Sequence, residues 1–283
     1  MSRRICTWKI EIKEVEKEIQ MERGGKMKII MNPPYSGNLH LKILSHLIKL
    51  YSDAEVVNLS PIRWLQDPLA EYKKNSDWKK FEDIRAKITD LDVITSEESC
   101  SLFDINMFSD LGIYHINGTK QPVETNKPII SQGLFDKVNL PTYQGKYKSI
   151  YDIRSPEGHP DFSRPFVKMS IIGGQPGSKH LWDWILSKNK DVAMKPTIAS
   201  GKSGTGIFTV NFETPEEANN FYDYCCSKFV RACNMNVKTT TRWPGYAIPV
   251  MPTYTHPWTD EMLYGFFHLS EDEIAIIEQE VKL

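Results

Sequence analysis

The first third of the chain alternates between strand-like and helix-like patterns of apolar residues. Met27-Lys28-Ile29-Ile30-Met31 is a short apolar run of the length of a buried strand. Asn38 can cap a following helix, whose apolar residues recur at helical spacing at Leu41, Leu44, Leu47, Ile48 and Tyr51. Residues 55–61 predict a second strand that ends at a proline. This order of elements predicts a βαβ unit with adjacent parallel strands.

Further along, residues 79–90 predict a helix, residues 91–94 and 111–116 predict strands, and Asn117-Gly118 predicts a turn. Beyond residue 118 the regular periodicity is lost and prolines and glycines become frequent. We therefore divide the chain into a charged N-terminal extension (1–26), an α/β region (27–118) and a mixed α+β region (119–283).

Two helix starts are clear in the last region. Thr214, Pro215 and Glu217 form a capping box with proline at the first helical position. The helix that follows carries one apolar face, made of Ala218, Phe221, Tyr222, Cys225 and Phe229. A second capping box, from Ser270 to Glu273, predicts a final helix over residues 274–281.

The composition is that of a globular protein, with 40% hydrophobic and 25% charged residues and a net charge of −1. Lys and Arg outnumber Asp and Glu between residues 120 and 205, which fits either a phosphate-binding face or a solvated lysine surface. The five cysteines have no zinc-site spacing, and His159, His180 and His256 are scattered, so no metal site is predicted. Because the chain has neither a membrane-length apolar run nor a signal peptide, we expect a cytoplasmic protein without a membrane partner.

The tetrapeptide Asn32-Pro33-Pro34-Tyr35 directly follows the first predicted strand. The exocyclic amine of adenine is a poor nucleophile because its lone pair is delocalised into the ring. The carboxamide oxygen of Asn32 and the main-chain carbonyl of Pro33 can each accept a hydrogen bond from that amine. The paired prolines Pro33 and Pro34 fix the backbone, and Tyr35 offers a ring on which a flipped base can stack. The alternative interpretation is a rigid proline turn after a strand.

The chain resembles the adenine-specific DNA methyltransferases of restriction-modification systems, in particular the large type II enzymes that fuse recognition and methylation, and their bacteriophage relatives. The resemblance begins at residues 27–35 and continues through 56–65. It resumes in blocks that resemble the end of the family's target-recognition region, at residues 212–221, 228–231, 257–264 and 269–274. It implies a partial Rossmann-like methyltransferase sheet, parallel to about residue 118, joined to an α+β target-recognition region in a bacterial host cell.

The resemblance also implies S-adenosylmethionine as the methyl donor, bound by a glycine-rich turn upstream of Asn32. Here about 30 residues precede Asn32 and contain no such turn after a strand. Three sources of the donor site remain open: a second subunit, a homo-oligomer, or a permuted strand-glycine-helix segment with Gly173 and Gly174 before a helix over residues 179–187. A loop in the recognition region explains these glycines equally well.

Four basic residues are candidate contacts for DNA phosphates: Lys179, Lys202, Lys238 and Arg242. Lys202 lies in a Gly-Lys-Ser sequence, but Pro196 occupies the position where a P-loop requires glycine. The alternative interpretation is an exposed turn for Lys238 and Arg242 and a flexible basic loop for Lys202.

Two main hypotheses follow. The first is a DNA adenine-N6 methyltransferase, or a subunit of one. The second is an inactive, methyltransferase-derived protein that binds adenine or DNA and serves specificity, inhibition or protection. A base-modifying enzyme with a different donor is a third class.

Overall fold

The computed structural model describes residues 27–103, 109–118, 129–155, 161, 163–170, 185–189, 207–237 and 244–281. Its first sheet contains β1 (Lys28–Met31), β2 (Glu55–Pro61), β3 (Ile88–Ile94) and β4 (Leu111–Ile116), in the order β1-β2-β4-β3. β1 and β2 are parallel, whereas β4 is antiparallel to both β2 and β3. The predicted βαβ unit and all four strands are confirmed, and the fold is mixed α/β, but β1 is an edge strand and not the buried strand that its apolar run predicts, with Ile30 86% exposed. The sheet is not parallel throughout, because β4 lies between β2 and β3 and runs in the opposite direction.

Helix α1 (Leu39–Leu50) connects β1 to β2 and buries Leu41, Leu44 and Ile48 against the sheet core. The prediction that Asn38 caps α1 is wrong. Asn38 has a left-handed backbone (φ 61°) and makes no capping bond. Its side-chain amide instead donates to Asp77 Oδ2 at 2.7 Å. A tertiary contact has therefore replaced the local cap.

The helix predicted over residues 79–90 is only partly correct. The chain forms two short helices, α2 (Asp77–Lys80) and α3 (Glu82–Arg85), and β3 begins at Ile88. Ile88 is buried and pairs with Ile116 of β4, so sheet pairing overrides the helical pattern in the last residues. Helix α4 (Ser96–Phe103) then precedes β4.

The second region begins with α5 (Gln132–Leu134), a π-helical turn (Phe135–Asn139) and α6 (Leu140–Tyr143). A smaller sheet follows, with β5 (Phe166–Ser170) between β6 (Ile185–Asn189) and β7 (Ile207–Asn211), each antiparallel to it. The permuted strand-glycine-helix segment is contradicted where it can be described, because residues 185–187 lie in β6 and not in a helix. Gly173 and Gly174 lie outside the described residues.

In the described residues after β7 there are four α-helices: α7 (Pro215–Cys226), α8 (Lys228–Val237), α9 (Asp260–Phe266) and α10 (Glu271–Glu280). Both predicted capping boxes are confirmed, at Thr214 and at Ser270. The predicted apolar face does not belong to one helix, because the chain breaks at Ser227 and places Phe229 in α8. Phe221, Cys225 and Phe229 nevertheless share one core with α9 and α10.

The two regions meet at a small apolar cluster, which contains Leu69, Phe135, Val237 and Ala247. Beside it, Lys73 Nζ binds Asp67 Oδ2 at 2.5 Å and the Tyr246 hydroxyl at 3.3 Å. Within the described part of the chain, no helix combines the length and the apolar character needed to cross a membrane.

Candidate functional site

Asn32, Pro33, Pro34 and Tyr35 form the loop between β1 and α1. A 3-10 turn (Ser36–Asn38) follows, in which Gly37 adopts φ 57° so that the chain can turn into the helix. Because β1 and β2 are parallel and Met31 pairs with Asn58, the loop lies beside the carboxyl end of β2. In open α/β sheets, ligands bind at such carboxyl ends.

The Tyr35 hydroxyl donates a hydrogen bond to Asn32 Oδ1 at 2.7 Å. The same hydroxyl lies 3.4 Å from the main-chain oxygen of Leu59 at the end of β2. Asn32 and Pro34 are exposed, Tyr35 is half-buried and Pro33 is buried. Burial raises the pKa of the Tyr35 hydroxyl, so it stays a protonated donor at neutral pH. The loop thus places the amide of an exposed asparagine beside a half-buried aromatic ring.

His40, in the first turn of α1, packs against this ring. The two ring centroids are 5.8 Å apart and the planes meet at 79°. His40 is 3% exposed, and its Nδ1 makes no hydrogen bond of good geometry with the described residues. Burial, and then the positive charge of Arg63, lower the pKa of His40 to about 4, although the Tyr35 main chain and Asp77 act in the opposite direction. His40 is therefore a neutral, buried support for Tyr35.

A buried polar cluster lies in the sheet next to the loop. Asn58 Nδ2 donates to Ser60 Oγ at 2.8 Å, and Ser60 in turn bonds the hydroxyl of Tyr114. Burial raises the pKa of Tyr114, against the opposing effect of its polar neighbours Ser60, Trp64 and Asn58. Asn58 Oδ1 and Trp64 Nε1 are buried without a well-formed hydrogen bond to the described residues.

Sequence reasoning did not identify His40, Asn58 or Tyr114 as parts of this neighbourhood. β2 carried a usable signal, because Asn58 and Ser60 occupy the same alternating face as Val56, which is the buried face. A buried strand face with two polar residues requires polar partners. His40 offered no comparable signal, since its contact with Tyr35 depends on the turn at Gly37 and Asn38.

The other predicted site residues cannot be related to this loop. Lys179, Lys202, Lys238 and Arg242, like Gly173 and Gly174, lie outside the described residues.

One group of potential metal ligands occurs among the described residues, at the opposite edge of the first sheet. Asp90 and Asp92 of β3 and His115 of β4 have ligand atoms that all lie within 4.8 Å of one another. Strand β2 separates β4 from β1 in this sheet, so the group is not part of the Asn32 loop. The absence of a metal site stays a prediction.

The second region contains a cleft of about 330 Å³, and residues that line it include Arg164, Phe212, Glu213, Glu217, Met251 and Tyr254. This volume is at the lower end of the range for small-molecule sites. The Arg164 guanidinium is already paired with Glu213, so the cleft has no free cation from this residue for an anionic ligand. Glu217 is likewise engaged in the capping box of α7.

Comparison of the chain with protein-family models, with curated proteins and with solved structures finds no match.

Proposed function

We propose that the chain is the adenine-binding part of a DNA adenine-N6 methyltransferase, with Asn32, Pro33, Pro34 and Tyr35 forming the site. The observation that carries this proposal is the amide oxygen of the exposed residue Asn32, held 2.7 Å from the Tyr35 hydroxyl at the carboxyl end of a parallel strand. A base that stacks on the ring would bring its amine close to this oxygen. A proline turn with only a structural role does not require an exposed amide held in this way.

Each residue of the loop has a separate task in this proposal. Asn32 Oδ1 and the Pro33 carbonyl accept the two N–H groups of adenine N6, which favours the tetrahedral geometry needed for nucleophilic attack. Pro33 and Pro34 hold the acceptors in place, since their φ angles are restricted by the rings. Tyr35 provides the stacking surface. The methyl group itself is supplied by S-adenosylmethionine when this donor is bound.

The described residues do not fit the expected donor site. In the first sheet β1 and β2 are the neighbouring parallel strands, and the strand-to-helix turn between them is the Asn32 loop itself. β2 and β3 also run in the same direction, on either side of β4, but residues 62–87 between them contain no glycine. A glycine-rich turn for S-adenosylmethionine is therefore missing from this part of the chain. We propose that a second subunit or another copy of the chain supplies the donor.

DNA is the proposed partner. Contacts to phosphates fix the position of a protein on the duplex, and the basic residues Lys179, Lys202, Lys238 and Arg242 are the proposed contacts. The target base would then enter the Asn32 loop after flipping out of the stack.

The test measures binding of S-adenosylmethionine by calorimetry and transfer of a tritiated methyl group to unmethylated DNA, with the chain alone and with co-encoded proteins. Asn32→Ala is expected to reduce transfer by at least about 100-fold, because an interaction made in the transition state is lost. Asn75→Ala is the matched control, since Asn75 is an exposed asparagine in another turn. Transfer that survives Asn32→Ala excludes this site.

The second candidate function is adenine or DNA binding without catalysis, as in a specificity, inhibition or protection factor. The missing donor turn among the described residues favours it. It predicts adenine-dependent binding that is lost in Asn32→Ala, together with no binding of S-adenosylmethionine and no methyl transfer under any of these conditions.

A further inference from the structure

Among the residues that the structure describes, one hydrogen bond holds the Asn32 side chain. Its Oδ1 accepts from the Tyr35 hydroxyl at 2.7 Å, and within the described part of the chain it has no other side-chain partner. Asn32 is exposed, so packing does not fix the rotation of its amide. The amide could otherwise turn and present its NH₂ group, a donor, where the oxygen now lies.

The Tyr35 hydroxyl has one proton to donate. If the amide were flipped, its NH₂ group would donate to the hydroxyl oxygen and the Tyr35 proton would have to turn to the Leu59 carbonyl at 3.4 Å, so the shorter bond to Asn32 Oδ1 at 2.7 Å is the favoured one. A carboxamide oxygen has two lone pairs, and this bond occupies one of them. The second lone pair remains available for an incoming N–H group.

The Tyr35 ring is itself restrained. It packs at 79° against the ring of His40, which is buried at the start of α1. The position of the hydroxyl therefore follows from the packing of the helix and does not depend on Asn32 alone. A chain of contacts runs from the buried His40 through Tyr35 to the amide oxygen of Asn32.

We propose that the Tyr35 hydroxyl is a positioning group that orients the Asn32 amide and thereby makes the loop selective for a base with an exocyclic amine. This inference rests on the proposed function and adds a second role to Tyr35 besides stacking. Without the hydroxyl, the amide can present either its oxygen or its NH₂ group, and the preference for an N–H donor falls. Stacking on the ring does not depend on the hydroxyl.

The test uses the full chain and two single-stranded oligonucleotides that differ at one position, with adenine or with purine, which lacks the amine. Fluorescence anisotropy measures the two dissociation constants, and their ratio is the amine preference. Tyr35→Phe is expected to reduce this preference by about 2-fold, because an amide that presents its oxygen and its NH₂ group equally is in the binding-competent orientation half of the time, while binding of the purine oligonucleotide stays unchanged. A purely structural role of the hydroxyl would weaken binding of both oligonucleotides equally.

Two further variants complete the experiment. Tyr72→Phe, at an exposed tyrosine, is the matched control and should keep the wild-type ratio. The double variant Tyr35→Phe/Asn32→Ala should lose no more preference than Asn32→Ala, because the hydroxyl acts only through Asn32.

The outcomes separate the two proposals. If Tyr35→Phe keeps the wild-type preference while Asn32→Ala loses it, the positioning role is wrong and the adenine site stands. If the wild-type chain does not distinguish adenine from purine, both the site and the positioning role are wrong.

Discussion

At the scale of single residues, the loop and its support differ in exposure to solvent. Asn32 is exposed, whereas His40 lies beneath the loop as a neutral imidazole. A charged imidazole at this position would lose hydration and would be repelled by Arg63. Its attraction to Asp77 would offset only part of this cost. The support for Tyr35 therefore depends on the protonation state of His40.

This environment predicts a pH-dependent stability. The pKa of His40 is about 4 in the folded chain, below its ordinary value of 6.5, so the unfolded chain binds more protons between these values. The free energy of unfolding consequently falls as the pH decreases from 6.5 to 4, by up to about 1.4 kcal/mol per pH unit, and His40 has no further effect above 6.5. Urea unfolding between pH 4.5 and 7.5 measures this slope.

The variant His40→Phe keeps an aromatic ring against Tyr35 but cannot be protonated, so its slope should be smaller than that of the wild type. His46→Phe is the control, because His46 is exposed on the same helix. An equal slope in wild type and His40→Phe would assign the pH dependence to other groups.

At the scale of elements, the first sheet depends on a close approach at Gly112 of β4. An added Cβ would overlap Ile62 Cγ2 and lie 2.9 Å from Leu91 Cδ1. Gly112 pairs with Ser60 of β2 and with Val93 of β3, so the crowding is at the centre of the sheet. A side chain at this position would push β4 away from the core that positions β2.

Gly112→Ala is therefore expected to lower the free energy of unfolding by about 1–3 kcal/mol, the usual cost of overpacking a core. Gly265→Ala is the contrast, since Gly265 lies in α9 with nothing within 4 Å of an added Cβ. This control should be neutral or should stabilise the helix by about 0.5–1 kcal/mol. Equal effects of the two substitutions in thermal unfolding would contradict the crowding at Gly112.

At the scale of the whole molecule, the two regions share the apolar cluster of Leu69, Phe135, Val237 and Ala247. The neighbouring Lys73 is charged, and it contacts Asp67 of the first region and Tyr246 of the second. Burial alone would lower its pKa, but the contacts with Tyr246 and Asp67 outweigh burial and raise it. These contacts couple the region with the Asn32 loop to the region with the C-terminal helices.

Leu69→Ala tests this coupling. Leu69 is fully buried, so the substitution should lower the free energy of unfolding by about 2–4 kcal/mol. Hydrogen exchange should also become faster in α8, which carries Val237, although the substitution lies in the other region. Leu50→Ala, at an exposed leucine, is the control. If Leu69→Ala leaves exchange in α8 unchanged, the cluster does not couple the two regions.

The local parts of the fold were predictable from the sequence. β1, α1, β2 and the capping boxes at Thr214 and Ser270 depend on neighbours within a few residues, and the structure contains them. The Asn32 loop was recognisable for the same reason, because its acceptors and its ring are consecutive residues. Predictions failed where a residue distant in sequence offered a better hydrogen-bond partner than the local backbone. Asn38, for example, binds Asp77 and does not cap α1.

The sequence by itself therefore determined the strand, loop and helix that carry Asn32 and Tyr35, because periodicity, prolines and caps act locally. The tertiary structure alone decided that β4 separates β2 from β3, that His40 supports Tyr35, and that Asn58 and Ser60 meet Tyr114. These contacts join residues from different elements, and which partners meet depends on how the whole core packs. The chemistry of the loop is local, whereas the precision with which its amide oxygen is held depends on the fold.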